Sequence, residues 1–537
     1  MGLGIPRPMP TPYAGVCTDP DTGEKYAPQT GAHVLVTAPT GGGKTESVLA
    51  PACIAHPGPC IPVSSKDDLF KRVMERRYGP QYLIDLRQID TPYYGSDVVQ
   101  CRIDPTALID SHDDALNVAT WLHRASTLSL GGRVTQHGEP YWAAQIIPSL
   151  AAVLYAASPK GNNKGIDWAL HCVENPFKKE EEPEQPPVIP SVTEEELTLL
   201  LAEARADEIA ADPNAKKSAL LAAQLAVHKA REAYETAAAS RADAERERAR
   251  LERAERQRED REASGEDPAD IYADDPPSWW DVRQYFARRS ILPTKLERVA
   301  TLNERQRDSV ALGMSAALFP WVYESVRRQD LPVFDPACLD DPDATLYILA
   351  EPEGGGVGAS LPLIQAIVAA WRRKTSLDTV MHNVLIAVDE LTNTLPLPTL
   401  DIVVSEARGL GINMLVAVQA AQQIANRYDP IFMETLLRIF PVVLVMHGSA
   451  EMDMLDQASL WSGLTLRGSE TLDQTTGNRV LSIEEGPLMV PHELQPGEQY
   501  TGRLIYRGTP GITVELPKFT EFLRLFDDRS IRGMVRI

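Results

Sequence analysis

The chain has little of several features that mark particular protein classes. Aromatic residues make up only 6% of its 537 residues, and no window approaches 18 consecutive apolar residues, so we predict no membrane-spanning helix. The amino-terminal segment lacks the apolar core of a secretory signal. The six cysteines form no C-x-x-C pair, so we expect reduced intracellular thiols rather than a disulfide framework or a zinc site. These absences favour a cytoplasmic protein.

The charge is strongly unbalanced. The sequence has 75 acidic residues against 53 lysines and arginines, a net charge of −22. This argues against a protein that coats nucleic acid with its whole surface. It permits a protein that grips DNA only along a narrow channel, because net charge says nothing about local patches. A length of 537 residues predicts two or three domains.

Short, continuous apolar runs predict strands that are covered on both faces. The predicted strands are His33–Thr37, Cys60–Ser64, Tyr82–Leu86, Thr345–Leu349, Val384–Val388, Asn413–Val418 and Val442–Met446. Helical patterns separate the later strands. This alternation predicts an α/β fold with a mostly parallel sheet.

The region between the early and the late strands has helical apolar spacing. We therefore predict an irregular lead-in over residues 1–32 and one sheet domain formed by residues 33–105 and 335–537. An all-α domain, residues 106–334, splits this sheet domain. Within the insert, the charged segment 194–262 is interpreted as a solvated helix or hairpin arm, and a specific docking element is the less favoured alternative.

The strongest local pattern is the segment APTGGGKT, which begins at Ala38, follows a predicted strand and opens a predicted helix. It fits a P-loop with alanine in the first glycine position; the alternative is a glycine-rich turn that contains Lys-Thr by chance. Glycines let backbone amides face phosphate oxygens, and the helix amino terminus adds partial positive charge. The pattern assigns Lys44 to the β- and γ-phosphates and Thr45 to Mg²⁺. The residues predicted to bind ATP are Thr40, Gly41, Gly42, Gly43, Lys44, Thr45 and Glu46.

A second pattern is the apolar run that starts at Val384 and ends in Asp389 and Glu390. Asp389 is predicted to bind Mg²⁺ through water, and Glu390 to polarise the attacking water. The alternative is a strand that simply ends in surface acids. Lys44 and Asp389 are 345 positions apart, whereas a compact nucleoside kinase or small GTPase fits both motifs within about 200 residues. The spacing therefore requires an inserted domain and disfavours small-molecule kinases.

Three further polar residues lie near predicted strand ends. Arg408 is a candidate arginine finger, a side chain that stabilises charge on the γ-phosphate bound by a neighbouring subunit. Gln419 is a candidate γ-phosphate sensor. By position alone, Arg408 is better explained as an arginine at a helix carboxyl terminus with Gly409 as its cap. Lys66 follows the second predicted strand, and the sequence assigns it no role.

Taken together, these segments resemble the type IV secretion coupling proteins, the TraG/TraD-like ATPases of conjugative DNA transfer. The most specific stretch is VDELTNTLPLPTLDIVVSEARGLGINMLVAVQAAQQIANRYDP, which begins at Val388. It contains Asp-Glu, a proline-containing connection, an Arg-Gly-x-Gly-Ile turn, a strand and a glutamine, in the family's order. Further matching segments are APTGGGKT, SSKDDL, RIDPTALI, EPYWAAQIIPSLAAVLYAA and GPLMVPHELQPGEQYTGRLIYRGTPGI. They extend the resemblance over most of residues 30–515, except 175–275.

The resemblance implies a RecA-like P-loop ATPase in a homo-hexameric ring, with ATP and Mg²⁺ at the subunit interfaces. Lys44, Glu390 and Gln419 become catalytic or sensing residues, and Arg408 becomes a finger that acts on the neighbouring subunit. The implied cargo is single-stranded or duplex DNA or a relaxase–DNA complex. A separate membrane tether protein would place the chain peripherally at the inner face of a bacterial membrane.

Two other functions remain open at the level of the sequence. One is a duplex DNA translocase or packaging ATPase built on the same core. The other is a nucleotide-dependent scaffold that does not hydrolyse ATP and recruits partners through its charged arm.

Overall fold

The computed structural model describes residues 11–89, 97–129, 140–176, 191, 193–213, 215–263, 276–351, 356–377, 382–449, 451–472 and 479–532. The chain divides into two compact units. The larger unit comprises residues 1–176 and 279–537, and the smaller one comprises residues 177–278. The domain boundaries predicted at residues 106 and 334 stay a prediction.

The larger unit is organised around one large sheet. The described strands are β1 Cys17–Thr18, β2 Lys25–Tyr26, β3 His33–Thr37, β4 Cys60–Ser64, β5 Gln81–Asp85, β6 Val98–Gln100, β7 Thr345–Leu349, β8 Val384–Val388, β9 Ile412–Val418, β10 Val442–Met446, β11 Leu464–Leu472, β12 Arg479–Pro487, β13 Thr501–Tyr506, β14 Ile512–Glu515 and β15 Ile531–Arg532. Within the described residues, the large sheet has ten strands in the order β14-β13-β10-β3-β9-β8-β4-β7-β5-β6. The strands from β10 to β6 are parallel, and β13 and β14 add two antiparallel pairings at one end. The α/β fold with a mostly parallel sheet is confirmed.

The central strands are apolar on both faces because helices cover both sides of the sheet. Along β3, Val34 and Val36 belong to one hydrophobic core cluster and Leu35 to the other, as the alternation of side chains in a strand requires. Strands β3, β4, β7, β8, β9 and β10 are buried along their whole length. Their sequences are therefore continuously apolar instead of alternating between apolar and polar residues, and these continuous runs identify the strands in the sequence.

Helices connect the strands and form the insert. Their bounds are α1 Ala50–Ala55, α2 Asp67–Met74, α3 His112–Ser129, α4 Pro140–Ala157, α5 Gly165–Glu174, α6 Thr193–Ala211, α7 Lys217–Ala263, α8 Ile291–Ala300, α9 Glu304–Leu318, α10 Glu324–Arg327, α11 Gly356–Ser376, α12 Leu391–Thr394, α13 Leu400–Glu406, α14 Ala421–Arg427, α15 Pro430–Ile439, α16 Met452–Trp461, α17 Pro491–Leu494 and α18 Phe519–Asp527. A π-helical turn, Thr45–Leu49, precedes α1. No described helix combines the length and apolar character needed to cross a membrane.

The insert supplies helices to the larger unit as well as the whole of the smaller one. Helices α3, α4, α5, α8 and α9 share a hydrophobic core cluster with one face of the sheet. In this cluster Trp321 is fully buried, and its indole nitrogen donates a hydrogen bond of 2.9 Å to the carbonyl oxygen of Ile103. The RecA-like P-loop fold therefore carries a helical insert, as predicted.

The smaller unit contains α6 and α7, which pack against each other as a hairpin. An ion pair of 2.7 Å joins Arg231 on α7 to Glu203 on α6. The distal part of α7 carries exposed pairs within the helix, such as Arg246 with Asp243 at 3.4 Å. Exposed pairs of this kind contribute little stability individually. The interpretation of segment 194–262 as a solvated arm stays a prediction.

Candidate nucleotide site

Four adjacent strands of the sheet end at one edge and bring the predicted site residues together. The strand order β3-β9-β8-β4 places the P-loop after β3, Gln419 after β9, Asp389 and Glu390 after β8, and Ser64 at the end of β4. In open parallel sheets, ligands bind in the crevice outside the carboxyl ends of the strands. The edge that carries these residues is therefore the candidate functional site.

The P-loop backbone turns sharply at two glycines. Gly41 has φ of 75° and Gly43 has φ of 81°, in the left-handed region that glycine adopts at no steric cost. A Cβ added to Gly41 would meet nothing within 4 Å, so the backbone conformation, rather than crowding, requires glycine there. The Ser47 hydroxyl donates a 2.7 Å hydrogen bond to the carbonyl oxygen of Gly43 and joins the loop to the following helix.

Asp389 lies between the P-loop and β4. Its Oδ2 accepts hydrogen bonds from the hydroxyls of Thr45 at 3.1 Å and Ser64 at 3.4 Å, and its Oδ1 lies 3.9 Å from the Lys44 ammonium nitrogen. Burial raises the pKa of Asp389, against the opposing influences of Lys44, Thr45, Ser64 and Lys66. Its Oδ1 is buried and has no hydrogen-bond partner.

These features fit a hydrated Mg²⁺ ion. A buried carboxylate oxygen without a hydrogen-bond partner, next to a threonine hydroxyl, is a suitable set of oxygen donors, because Mg²⁺ binds to one or two carboxylates and to substrate phosphates and keeps several waters. Within the described part of the chain, no three His, Cys, Asp or Glu side chains cluster as a metal site. The Asp389 carboxylate and the Thr45 hydroxyl are the donors that would hold the ion.

A chain of hydrogen bonds links the P-loop to Glu390. The Thr40 hydroxyl donates to the amide oxygen of Gln419 at 3.0 Å, and the amide nitrogen of Gln419 donates to Glu390 Oε1 at 2.6 Å. Asn393 on α12 donates to the same carboxylate oxygen at 2.8 Å. Glu390 itself has φ of 76°, an uncommon backbone conformation for a residue with a side chain. Its carboxylate is thus held by amide groups from two other segments.

Two residues of this arrangement were not assigned roles from the sequence. Asn393 holds Glu390, and Ser64 holds Asp389. The only sequence signals were their positions: Asn393 comes three residues after Glu390, and Ser64 ends a strand next to β8 in the sheet.

The sequence also placed Glu46 and Lys66 near this edge, and the structure separates them: Glu46 faces α2, whereas Lys66 lies close enough to Asp389 to influence its pKa. The Glu46 carboxylate forms an ion pair of 3.6 Å with Arg72 on α2. Lys66 is exposed, and its backbone amide donates a 3.2 Å hydrogen bond to the Ser64 hydroxyl. Its charge contributes to lowering the pKa of Asp389, but less than burial raises it.

Arg408 is at the other edge of the sheet. It lies in the 3-10 turn Ala407–Leu410, immediately before the start of β9. Parallel strands β8 and β9 place this turn at their amino ends, so the five residues of β8, about 16 Å, separate its backbone from Asp389. The Arg408 side chain lies outside the described part of the structure.

Comparison with known proteins identifies a family match for a segment that contains several of these site residues. Residues 383–496 match the model of a family described as the TraM recognition site of TraD and TraG. This segment is of the TraG/TraD coupling-protein type. It contains Asp389, Glu390, Arg408 and Gln419, and the resemblance inferred from the sequence is confirmed. None of the curated proteins matches the chain.

Several solved structures are also similar. The unbound monoclinic form of the bacterial conjugative coupling protein TrwBdeltaN70 has a TM-score of 0.44 and 15% identity, and the match covers 95% of this chain and 89% of that one. The plasmid coupling protein TrwB in complex with ADP and Mg²⁺ has a TM-score of 0.42 and 15% identity, with 91% and 86% covered. Because these TM-scores are below 0.5, the assignment of the fold rests on the strand order and the P-loop described above.

Proposed function

We propose that this protein is an ATP-hydrolysing motor of the coupling type, which moves DNA or a DNA–protein complex in conjugative transfer. The observation that carries the ATPase part is the meeting of Lys44, Thr45 and Asp389 at one sheet edge, with Glu390 linked to the P-loop through Gln419.

Each residue has a chemical task in this proposal. The amides of the glycine turn and the Lys44 ammonium bind the phosphates, and Thr45 and Asp389 would hold Mg²⁺, which would neutralise phosphate charge. Glu390 orients the attacking water and takes its proton. Gln419 contacts both the P-loop residue Thr40 and Glu390, so it can transmit the presence of the γ-phosphate to the base.

The DNA-transfer part rests on the family. The matched family is described by its recognition of TraM, and we extend this to propose that segment 383–496 contacts a protein of the DNA-processing complex, such as a relaxase–DNA assembly. We also propose a homo-hexameric ring, in which Arg408 of one subunit completes the site of the next, and a separate membrane protein as tether.

The decisive experiment is an ATPase assay of the wild type, Lys44→Ala and Glu390→Gln, without DNA, with single-stranded DNA and with duplex DNA. We expect hydrolysis by the wild type and loss of at least about 100-fold in both variants. Lys160→Ala and Glu434→Gln are matched controls, because both side chains are at least half exposed. No hydrolysis by the wild type under any condition would refute the motor.

The DNA conditions of this ATPase assay and a DNA-transfer assay in cells separate the alternatives. Stimulation by duplex DNA alone favours a duplex translocase or packaging motor over a single-strand pump. A scaffold that does not hydrolyse ATP predicts that Glu390→Gln leaves DNA transfer in cells intact. Loss of transfer in that variant contradicts the scaffold.

A further inference from the structure

The antiparallel end of the sheet places a second group of residues beside the P-loop. Strand β13 runs antiparallel to β10, the neighbour of β3, so β13 begins at the edge where β3 ends. Tyr500 immediately precedes β13. A Cβ added to Gly43 would lie 3.6 Å from Cε1 of the Tyr500 ring, so this ring lies directly against the last glycine of the P-loop.

The ring of Tyr500 is fixed by its surroundings. The Lys518 ammonium lies 4.9 Å from the ring centroid, in a cation–π contact. The Leu516 amide donates a 2.7 Å hydrogen bond to the Tyr500 carbonyl oxygen. Tyr500 also has φ of 64°, a left-handed conformation that is unfavourable for a bulky side chain. Such residues persist where the surrounding structure imposes them, and they cluster at ligand sites.

An open pocket of about 190 Å³ adjoins this ring. Its lining residues are Tyr500, Glu515, Leu516, Pro517, Lys518 and Glu521. The surface combines an aromatic ring and apolar side chains with the Lys518 ammonium and two carboxylates, of which that of Glu515 is already paired with Lys25. Carboxylates repel phosphate but accept hydrogen bonds from amino and hydroxyl groups. The pocket therefore suits the uncharged base and sugar of a nucleotide, whereas the P-loop suits its phosphates.

We propose that Tyr500 is the platform on which the base of the bound nucleotide stacks and that Lys518 is a positioning residue that holds this ring. The proposal rests on the proposed function, because it requires that the P-loop binds the phosphates. By this proposal, the segment around β13 binds the nucleotide in addition to completing the sheet.

The test compares a nucleotide with its phosphate chain alone. Binding of Mg–ATP and of Mg–tripolyphosphate is measured by isothermal titration calorimetry for the wild type, Tyr500→Leu and Tyr500→Phe. Base–aromatic stacking corresponds to an affinity change of about tenfold. We expect Tyr500→Leu to bind ATP about tenfold more weakly and tripolyphosphate as the wild type does. Tyr500→Phe keeps both affinities, because its ring is retained.

Tyr78→Leu is the matched control, since Tyr78 is 76% exposed and precedes β5 at the amino edge of the sheet. Thermal melts by circular dichroism verify that each variant is folded. Equal ATP affinity in Tyr500→Leu and the wild type would overturn the base platform and leave the proposed function standing. An equal loss of ATP and tripolyphosphate affinity would overturn it as well. A wild type that binds neither ligand would refute the proposed function itself.

Discussion

Replacing Asp389 by asparagine is expected to stabilise the nucleotide-free protein and to abolish its response to Mg–ATP. Asp389 carries a buried oxygen without a hydrogen-bond partner, and its other oxygen accepts from Thr45 and Ser64. The asparagine oxygen can take over those two hydrogen bonds. The substitution also removes the ion pair with Lys44, whose nitrogen lies 3.9 Å from Oδ1, but burial raises the pKa of Asp389 against that attraction, so the charged carboxylate is on balance unfavourable in the folded protein. A buried polar atom without a hydrogen-bond partner, such as Asp389 Oδ1, costs about 1–3 kcal/mol.

The expected shift in melting temperature follows from the size of the larger unit, residues 1–176 and 279–537. At about 2.1 cal/mol/K per residue, its unfolding entropy is about 0.9 kcal/mol/K, so a gain of about 1.5 kcal/mol raises Tm by about 2 °C. Mg–ATP at about 100 times its Kd adds about 2.7 kcal/mol to the free energy of unfolding of the wild type, which raises its Tm by about 3 °C. Asp389→Asn loses this increment because it removes the carboxylate that is proposed to hold Mg²⁺.

Differential scanning calorimetry with and without Mg²⁺ and ATP measures both effects. Asp85 provides a matched contrast, because its side chain is 4% exposed and it also ends a parallel strand, but it is paired with Arg87 through short contacts of 2.6 and 2.8 Å instead of the 3.9 Å between Asp389 and Lys44. Removing one partner of a buried pair costs about 3–5 kcal/mol, so Asp85→Asn lowers Tm. A lower Tm for nucleotide-free Asp389→Asn, or a full Mg–ATP increment in it, would refute the reasoning.

Three further predictions concern other parts of the molecule. Both ring nitrogens of His33 are buried without a hydrogen-bond partner, and burial lowers its pKa to about 4. The unfolded chain binds this proton near pH 6.5, so stability that is present above pH 6.5 is lost as the pH falls towards 4, by about 2 kcal/mol at pH 5. His33→Leu should flatten the dependence of the unfolding free energy on pH in this range, measured by urea unfolding. An equal pH dependence in the variant and the wild type would contradict this role of His33. Gln419→Ala is expected to lower kcat roughly 10–100-fold while the Kd of ATP stays within about twofold, because Gln419 positions Glu390. Equal losses in kcat and in ATP affinity would point to a binding role instead. Arg408→Ala and Lys44→Ala should each be inactive, and mixing them in equal amounts should restore activity at about one quarter of the interfaces, because a Lys44→Ala subunit still supplies Arg408 to its neighbour. No recovery on mixing would count against a finger that acts in trans.

Much of the sheet could be predicted from the sequence because buried parallel strands read as uninterrupted apolar runs. Five of the seven predicted strands have the predicted bounds, as β8 and β10 illustrate. Strand β5 begins one residue earlier than predicted, at Gln81, because its polar side chain is buried and accepts a 2.9 Å hydrogen bond from the Tyr347 hydroxyl. A hydropathy pattern does not reveal such a contact between distant residues.

The site was predictable to the extent that it depends on local motifs. Lys44, Thr45 and Asp389 follow from residue types at strand ends, and the structure brings the side-chain polar atoms of Lys44 and Thr45 within 3.9 Å of the Asp389 carboxylate. Tyr500 was not predictable, because tertiary structure alone defines its position. Asn393 is only three residues from Glu390, but the sequence does not show that the turn after β8 brings its amide to that carboxylate. The Tyr500 ring lies against Gly43 only because β13 pairs antiparallel with β10, and that pairing joins segments far apart in the sequence.

The position of Arg408 connects the site to assembly. Its backbone lies at the amino edge of the sheet, whereas the phosphate-binding loop and both carboxylates lie at the carboxyl edge, a strand length of about 16 Å away. An extended arginine side chain spans less than half of that distance, so Arg408 cannot serve the nucleotide site of its own chain in this fold. If it contributes to hydrolysis, it must do so at the site of another subunit. Head-to-tail packing of identical chains can present one edge of each sheet to the opposite edge of the next, and such contacts form a ring where the rotation between subunits closes. The proposed finger and the proposed ring are therefore one hypothesis, and the mixing experiment tests both.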